Sequence, residues 1–460
     1  MNNFTTDVVI GLEIHVQLNT TTGLFCGCPI KPAEPNTATC PICLGHPGAK
    51  PLVNEKALEY GAKVALALGC KIAPTITFSR KTYFYPDLAK NFQITQFELP
   101  LGNNGHLVLD DGTIVRIERA HLEEDPGSII RETESVLVDY NRSGVPLCEI
   151  VTGPDMHSPE QAREFMKKLL NILGYLGVYD PNTGIVKADA NVSIKEKNYT
   201  RVEVKNITGF KEIERALQYE IQRQKSQDVK LETRGWDSEK GITHFMRNKE
   251  TEADYGYIVE PDLPIFEISQ DWIRSIQASI PELGEQRAAR WVKDWKIDET
   301  DAKIIANNLD VADLFEKVAK KSKPIIVSRW FRRDILRQLN ESKLELNDTK
   351  FNENNLAETI NLVDTGGATQ QVGSNIIQLL TLQDISPGDY VIETGLQQIS
   401  DSNELKKLCV ETITEHPKAV EDYKKGEENS LQFLVGQIMR KTKGTANAQK
   451  VKELFEGLLK

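Results

Sequence analysis

VVIGLEIHVQL, residues 8–18, alternates apolar and polar side chains almost without a break. Ile10 and Leu12 point one way, and Glu13 and His15 point the other. A period of two residues is typical of a β-strand with one buried face. The segment therefore predicts a sheet whose second face carries a carboxylate and an imidazole roughly 7 Å apart.

Similar alternation returns at residues 113–124 and 188–194. Helical patterns lie between these strands, one over residues 54–69 and one opened by the capping residue Ser158. From about residue 296 onward the 3.6-residue period of helices replaces the alternation. The sequence therefore predicts an α+β fold, with a mixed β-rich part followed by an all-helical part.

The composition indicates an ordinary cytoplasmic protein. The chain has 460 residues, of which 40% are hydrophobic and 27% are charged, a length that suits two or three domains. No apolar run approaches the roughly 20 residues of a membrane helix, and the N-terminus does not resemble a secretory signal. We expect no membrane association.

The net charge is −11, which argues against a protein that coats nucleic acid indiscriminately. A local basic stretch is still present near the end of the chain, at Arg440, Lys441, Lys443, Lys450, Lys452 and Lys460. This stretch indicates either a solvated helix face or a contact with nucleic acid.

Four of the seven cysteines form two close pairs, Cys26 with Cys28 and Cys40 with Cys43. Two such pairs joined by a short loop are what a tetrahedral zinc site with four thiolates requires. A closed site of this kind is structural, because it leaves no open position. Four unrelated buried thiols are the alternative, and His46 could replace one of the ligands.

Two strand ends carry further candidate ligands. Glu13 and His15 share the polar face of the first strand. The segment HLEED closes another strand, with His121 and Glu123 on one face and Glu124 on the other. Carboxylates with one imidazole suit Mg²⁺, which prefers oxygen ligands and phosphates. Ordinary surface carboxylates are the alternative, because local sequence does not show that these segments meet.

Glu149 shares a strand face with the apolar residues Leu147 and Val151. A carboxylate there is costly unless a cation or hydrogen bonds hold it. A bound Mg²⁺ would do so, and a neighbouring Arg or Lys that holds the strand is the alternative.

Residues 78–87, FSRKTYFYPD, place Arg80 and Lys81 among four aromatic side chains. This combination suits contact with phosphate together with stacking on a base. A strand edge with solvated charges is the alternative. The chain has no Walker-type loop, no protein-kinase signature and no amidase-type Ser/Ser/Lys run. If the chain uses ammonia from glutamine, another subunit has to release it.

Ordered motifs then identify a family. They are GLEIHV (11–16), RKxYFYPD (80–87), QITQ (93–96), HxEED (121–125), DYNR (139–142), PLxEIV (146–151), DANVS (189–193), VKN (204–206) and FLVGQIM (433–439). Together they resemble the kinase and transamidase subunit, known as the B subunit, of the tRNA-dependent amidotransferases, over essentially the whole chain. The paired cysteines are similar to those of the zinc-bearing version of this family.

The resemblance implies a cradle-shaped catalytic domain over residues 1–295, with a zinc-binding insertion near 26–43. It also implies a helical domain over 296–397 and a helical tRNA-binding tail over 398–460. The implied partners are a glutaminase subunit of the amidase fold, a small third subunit and a misacylated tRNA. The implied cofactors are ATP, Mg²⁺ and Zn²⁺.

The implied reaction is the amidation of Asp-tRNA(Asn), Glu-tRNA(Gln) or both by a carbon–nitrogen ligase with glutamine as amido donor. ATP phosphorylates the side-chain carboxylate, and ammonia then displaces phosphate. By position in the motifs, His15 and Glu124 are catalytic, and Glu13, Glu123 and Glu149 hold magnesium. The implied substrate and nucleotide residues are Arg80, Lys81, Tyr85, Asp189, Asn191 and Lys205.

The sequence departs from the family pattern at Ser128, at Gly153 and within residues 254–262. These departures bear on the pocket for the acceptor more than on the metal. The related subunit of the two-subunit archaeal enzyme, which is specific for Glu-tRNA, is a close alternative, but 460 residues leave little room for its extra inserted domain. A non-catalytic zinc-containing tRNA-binding or assembly factor of the same fold is an alternative of a different class.

Overall fold

The computed structural model of the chain describes residues 7–31, 34–132, 134–180, 184–248, 255–399 and 401–459. The chain divides into two compact units, residues 1–283 and residues 284–460. The domain boundaries expected near residues 295 and 397 stay predictions.

The first unit contains the strands. They are β1 Val8–Gln17, β2 Lys71–Ile72, β3 Thr75–Ile76, β4 Ser79–Thr82, β5 Phe92–Thr95, β6 Gly102–Val108, β7 Ile114–Glu124, β8 Ser128–Arg131, β9 Val136–Asp139, β10 Pro146–Thr152, β11 Val186–Ile194, β12 Val202–Thr208, β13 Glu232–Asp237, β14 Ile242–Asn248, β15 Gly256–Val259 and β16 Phe266–Glu267.

A nine-stranded sheet dominates this unit, in the order β14-β13-β12-β11-β1-β10-β7-β6-β2. Its strand pairs are antiparallel except for β12 and β13, which run parallel. The strand predicted from VVIGLEIHVQL is confirmed as β1, in the middle of the sheet between β11 and β10. The central strand thus comes first in the chain, and both of its neighbours follow much later in the sequence.

The helices of the first unit are α1 Glu55–Ala67, α2 Pro159–Leu176, α3 Phe210–Ser226 and α4 Gln270–Ser279. Both predicted helices are confirmed. The side chain of Asn54 caps α1, and Ser158 caps α2 by accepting a hydrogen bond from the backbone N–H of Gln161. Helix α3 packs on β11 and β12, and α1 packs on β6 and β7. These helices cover one face of the sheet and leave the other for polar side chains.

Smaller sheets border the large one. Strand β4 lies between β15 and β5, β16 pairs with β3, and β8 pairs with β9. The loop between β1 and α1 carries the paired cysteines. It is tied to residues 139–144 by several hydrogen bonds, including one of 2.8 Å from the backbone N–H of Ala38 to Oδ1 of Asn141.

The second unit is helical in its described residues. Its helices are α5 Gly284–Trp295, α6 Glu299–Ile305, α7 Leu309–Ala319, α8 Pro324–Trp330, α9 Leu336–Ser342, α10 Glu353–Asp364, α11 Gln370–Leu380, α12 Pro387–Glu393, α13 Ser402–Glu415, α14 Pro417–Lys424, α15 Glu428–Lys441 and α16 Ala448–Leu458. A π-helical turn, Phe331–Ile335, joins α8 to α9.

Helices α13 to α16 have a hydrophobic cluster of their own, which includes Leu405, Leu434, Ile438 and Phe455. The predicted α+β fold is therefore confirmed, with a sheet-rich unit followed by a helical one. Within the described residues, no helix combines the length and the apolar character needed to cross a membrane.

Candidate functional site

The polar face of the nine-stranded sheet carries the candidate site. In β1, Ile10, Leu12 and Ile14 are buried in one hydrophobic cluster with residues of α1, α2 and α3. Glu13 and His15 alternate with them and project from the opposite face. The helices therefore fix which side of the sheet is free for polar chemistry.

Strand pairing brings ionisable side chains into one row on that face. His15 of β1 lies opposite Glu149 of β10, which lies opposite His121 of β7. Nε2 of His121 is 3.0 Å from Oε2 of Glu149, and Nε2 of His15 is 3.9 Å from a Glu149 oxygen. Glu123 brings Oε1 to 3.3 Å from Nε2 of His15. One ligand atom from each of His15, Glu123 and Glu149 lies within 4.8 Å of the others.

This cluster favours positive charge at its centre. Burial lowers the pKa of His15, but the Glu123 and Glu149 carboxylates outweigh burial and raise that pKa to about 10. Burial raises the pKa of the Glu149 carboxyl group, because it disfavours the charged form. The charges of His121, His15 and Lys81 outweigh burial and hold that pKa well below its usual range. Carboxylates that draw a proton onto a neighbouring imidazole are an arrangement in which a metal ion can replace that proton.

A second polar group continues along the same face. Nδ2 of Asn191 donates a hydrogen bond of 2.9 Å to Oε1 of Glu13. Nζ of Lys205 donates one of 2.7 Å to Oδ2 of Asp189 and lies 3.8 Å from Oε1 of Glu203. Burial opposes a charged Lys205, but the Asp189 and Glu203 carboxylates outweigh it and raise its pKa above its usual range.

The three carboxylates predicted to hold magnesium are therefore not equivalent. Glu123 and Glu149 share a cluster with His15, whereas Glu13 accepts the hydrogen bond of Asn191. Glu13 is still on the same strand face as His15. It lies at the border between the carboxylate cluster and the group around Lys205.

Glu124 lies elsewhere, because alternation within β7 turns it to the other face. Its two oxygens accept hydrogen bonds of 2.5 and 2.7 Å from Nζ of Lys90. One of them also accepts the backbone N–H of Ile94 at 2.8 Å. A Cβ at Gly144 would be 3.8 Å from both the Glu124 carboxylate and Cβ of Cys43. Glu124 thus lies beside the cysteine loop, and the catalytic role predicted for it stays a prediction.

The two cations of β4 have different neighbours. Nε and Nη2 of Arg80 donate to the Glu260 carboxylate at 2.7 and 2.8 Å. Nζ of Lys81 lies 4.8 Å from the ring centroid of Tyr255, and its charge contributes to the low pKa of Glu149. Lys81 therefore faces the carboxylate cluster, whereas Arg80 is held in an ion pair.

The aromatic residues after β4 also differ. Phe84 is 84% exposed and Tyr85 is 44% exposed. Tyr83 is less exposed, and burial together with the nearby Glu123 carboxylate raises the pKa of its hydroxyl group. Tyr85 therefore presents a ring to solvent, whereas Tyr83 belongs to the surroundings of the cluster.

The four paired cysteines converge. One sulfur from each of Cys26, Cys28, Cys40 and Cys43 lies within 4.8 Å of the others, and the Cys40 and Cys43 sulfurs are 3.8 Å apart. A tetrahedral site with zinc–sulfur bonds of about 2.3 Å places its sulfurs roughly 3.8 Å apart. Hydrogen bonds from Cys26 and from the backbone of Cys40 lower the pKa of Cys43 to about 5. The convergence of the four sulfur atoms suits a thiophilic metal ion.

Several residues of the site received no role from the sequence. Strand alternation placed His121 on the face of Glu123 but gave it no role. Glu203 precedes Lys205 by two residues, so alternation could have placed it on the same face as Lys205. Glu260 could not have been found in this way, because it meets Arg80 across 180 residues of sequence. Only the tertiary structure reveals that pair.

The departures from the family pattern have a partial structural account. A Cβ at Gly153 would come within 2.6 Å of Oδ2 of Asp155 and 3.0 Å of Nη2 of Arg116. These two side chains form an ion pair of 2.8 Å, which would have to move for a larger residue. In the departure within residues 254–262, Gly256 pairs with Thr82, and Asp254 lies outside the described residues.

The sequence patterns of two protein-domain families match the chain. The model described as the GatB/GatE catalytic domain matches residues 8–274 and thus contains every candidate ligand named above. The model described as the GatB domain matches residues 313–459.

Curated proteins are similar to this chain along nearly its whole length. The B subunit of the aspartyl/glutamyl-tRNA(Asn/Gln) amidotransferase of Thermotoga maritima is 41% identical, over 98% of each chain. The protein of the same name from Persephonella marina is 41% identical, over 98% of this chain and 99% of its own. The one from Thermodesulfovibrio yellowstonii is 42% identical, over 99% of each.

Proposed function

Because the chain belongs to the GatB/GatE family, we propose that it amidates misacylated tRNA as the B subunit of a tRNA-dependent amidotransferase. It is then a carbon–nitrogen ligase with glutamine as amido donor. The supporting observation is the cluster of His15, Glu123 and Glu149 on the polar face of the central sheet.

The proposed reaction has two steps. First, the side-chain carboxylate of Asp-tRNA(Asn) or Glu-tRNA(Gln) attacks the γ-phosphorus of ATP, which gives an acyl phosphate and ADP. Ammonia then attacks the acyl carbon, phosphate leaves, and the amide remains on the tRNA. Phosphoryl transfer of this kind depends on positioning and on charge stabilisation rather than on a protein nucleophile.

His15, Glu123 and Glu149 would hold Mg²⁺, with Glu13 at the border of the cluster. The donor set fits, because the two carboxylates supply the hard oxygen atoms that Mg²⁺ prefers. When bound, the ion would neutralise charge on the transferring phosphoryl group. The cluster is already arranged around positive charge, as the raised pKa of His15 indicates.

Lys81 and Lys205 would bind the negative charge of the substrates. Each is a cation close to a carboxylate of the polar face. Asp189 holds Nζ of Lys205, and Asn191 continues the same group, so both would orient the aminoacyl end of tRNA. Tyr85 offers an exposed ring on which a nucleotide base could stack. Arg80 would act at the nucleotide only if its pair with Glu260 opens.

Zinc bound by the four cysteines would be structural. The loop that carries them connects β1 to α1 and contacts the segment that leads into β10. A metal that closes this loop would hold the segment between Glu123 and Glu149 in place. With zinc bound by these four cysteines, the chain would belong to the zinc-bearing version of the family.

Nitrogen would come from partner subunits. The chain lacks an amidase motif, so a glutaminase partner of the amidase fold would release ammonia from glutamine, and a small third subunit would complete a heterotrimer. The basic tail over residues 398–460 would contact tRNA. All of this chemistry belongs in the cytoplasm, where aminoacylated tRNA is found.

The deciding experiment measures ADP release by the reconstituted complex with Asp-tRNA(Asn) and with Glu-tRNA(Gln). We expect release that requires a misacylated tRNA, and the two substrates show which is used. Correctly acylated Asn-tRNA is the control. No ADP release with either misacylated tRNA would instead favour a non-catalytic zinc-containing tRNA-binding or assembly factor. ADP release that ignores the aminoacyl group would contradict phosphorylation of its carboxylate.

A further inference from the structure

His121 is a buried imidazole directly beside the proposed metal ligands. It is 2% exposed, and it lies on β7 opposite Glu149 of β10. Its Nε2 is 3.0 Å from Oε2 of Glu149. Because a carboxylate oxygen is an acceptor, Nε2 of His121 carries a proton and donates this hydrogen bond.

The other nitrogen of this ring has no comparable role. Within the described part of the chain, Nδ1 of His121 is buried and has no hydrogen-bond partner. A buried polar atom without a partner costs free energy, and an apolar side chain of similar volume would avoid that cost. A histidine at this position is therefore explained by what its Nε2 does for Glu149.

The pairing of β7 with β10 sets the position of this contact. Gln96 accepts the backbone N–H of Leu122, the residue after His121, at 3.0 Å. His121 also makes the shorter of the two imidazole contacts to Glu149, since His15 remains 3.9 Å away. His121 thus contacts Glu149 from the side of β7, whereas His15 lies on the opposite side of Glu149, on β1.

We propose that His121 is a positioning residue that orients the Glu149 carboxylate for binding a divalent cation. This inference rests on the proposed function of the cluster. The hydrogen bond restricts the side-chain torsions of Glu149. The carboxylate is therefore already close enough to His15 and Glu123 to share a cation with them before the cation binds. Groups that orient a metal ligand in this way typically contribute about 10–100-fold to metal affinity.

The test uses Mn²⁺ as a paramagnetic probe of the full chain, with binding measured by electron paramagnetic resonance and folding by thermal melting. His121→Leu keeps volume and removes the donor. His121→Gln keeps an N–H near the position of Nε2. His157→Leu is the matched control, because Nδ1 of that histidine contacts the backbone oxygen of Val8, away from the cluster. Glu149→Gln removes the ligand itself.

We expect His121→Leu to weaken Mn²⁺ binding about 10–100-fold without a lower melting temperature. His121→Gln and His157→Leu should bind Mn²⁺ nearly as the unchanged chain does. A folded His121→Leu chain with unchanged Mn²⁺ affinity overturns the inference alone. If that variant does not fold, His121→Asn, whose amide ends near the position of Nδ1, takes its place with the same two outcomes. Equal Mn²⁺ affinity of Glu149→Gln and the unchanged chain overturns the proposed metal centre as well.

Discussion

Arg80 and Glu260 form a two-bonded ion pair, in which Nε and Nη2 of the guanidinium lie 2.7 and 2.8 Å from the two carboxylate oxygens. Glu260 is 1% exposed, so a carboxylate at this position needs a partner of opposite charge. The pair joins β4 to the segment that follows β15. Arg80, predicted from sequence as a ligand of substrate or nucleotide, thus has a structural contact.

Arg80→Ala should therefore destabilise the protein. It leaves Glu260 buried without its partner, and breaking such a pair costs roughly 3 kcal/mol of unfolding free energy. Urea denaturation checks this, and the double variant with Glu260→Ala should recover part of the loss. Arg116→Ala is the control, because the pair of Arg116 with Asp155 is more exposed. Unchanged stability with weakened nucleotide binding would show that Arg80 acts on the ligand alone.

Glu149→Gln should abolish phosphorylation and leave the fold intact. The amide keeps the volume and can still accept the hydrogen bond of His121, but it removes a negative charge from the cluster. Loss of such an electrostatic element costs roughly 10² or more in rate. Thermal melting and tRNA-dependent ADP release with varied Mg²⁺ measure the two effects. A destabilised variant with normal ADP release and normal Mg²⁺ dependence would contradict the metal assignment.

One zinc ion per chain should be bound by Cys26, Cys28, Cys40 and Cys43. Elemental analysis of the purified chain checks this, and Cys40→Ser should lose the zinc because its sulfur is one of the four that converge. Cys409→Ser is the matched control, a buried thiol within the tail cluster. Purified chain without zinc, or full zinc content in Cys40→Ser, would refute the site.

Removal of residues 398–460 should weaken the use of tRNA and leave metal binding unchanged. The tail has its own hydrophobic cluster, so the rest of the chain keeps its core. Several cations follow Gly436, although Lys441 is partly neutralised by Glu415 at 2.6 Å. Loss of phosphate contacts should flatten the dependence of tRNA affinity on salt. Filter binding at several salt concentrations measures both the tRNA affinity and the slope of its salt dependence. If truncation leaves both unchanged, the tail does not have this role.

The stability of the helical unit should depend on pH through Glu316 of α7. Burial raises the pKa of Glu316, but Arg290 and the indole N–H of Trp291 outweigh it and lower that pKa. A lowered folded-state pKa means that the contribution is present above the unfolded value of about 4.3 and lost as pH falls through the folded value. Glu316→Gln should cost about 1–2 kcal/mol of unfolding free energy at pH 7, and this cost should shrink as pH falls below the unfolded value of about 4.3. A difference that stays constant from pH 3 to 7 would speak against this ion pair.

The sequence by itself determined the local half of the site. Alternation in residues 8–18 identified β1 and placed Glu13 and His15 on its polar face, as the structure confirms. The spacing of the four cysteines likewise predicted that their sulfurs meet, because two short turns and one short loop leave few other arrangements. Such features follow from backbone geometry within a few residues.

Only the tertiary structure decided which strands lie beside β1. Alternation identifies the faces of a strand but not its neighbours, because strand pairing depends on segments far apart in sequence. The order β11-β1-β10-β7 brings Glu149 and Glu123 to His15, gives Asn191 to Glu13, and leaves Glu124 with Lys90. The carboxylates looked alike in sequence, and their different surroundings arise from the pairing of strands that are distant along the chain.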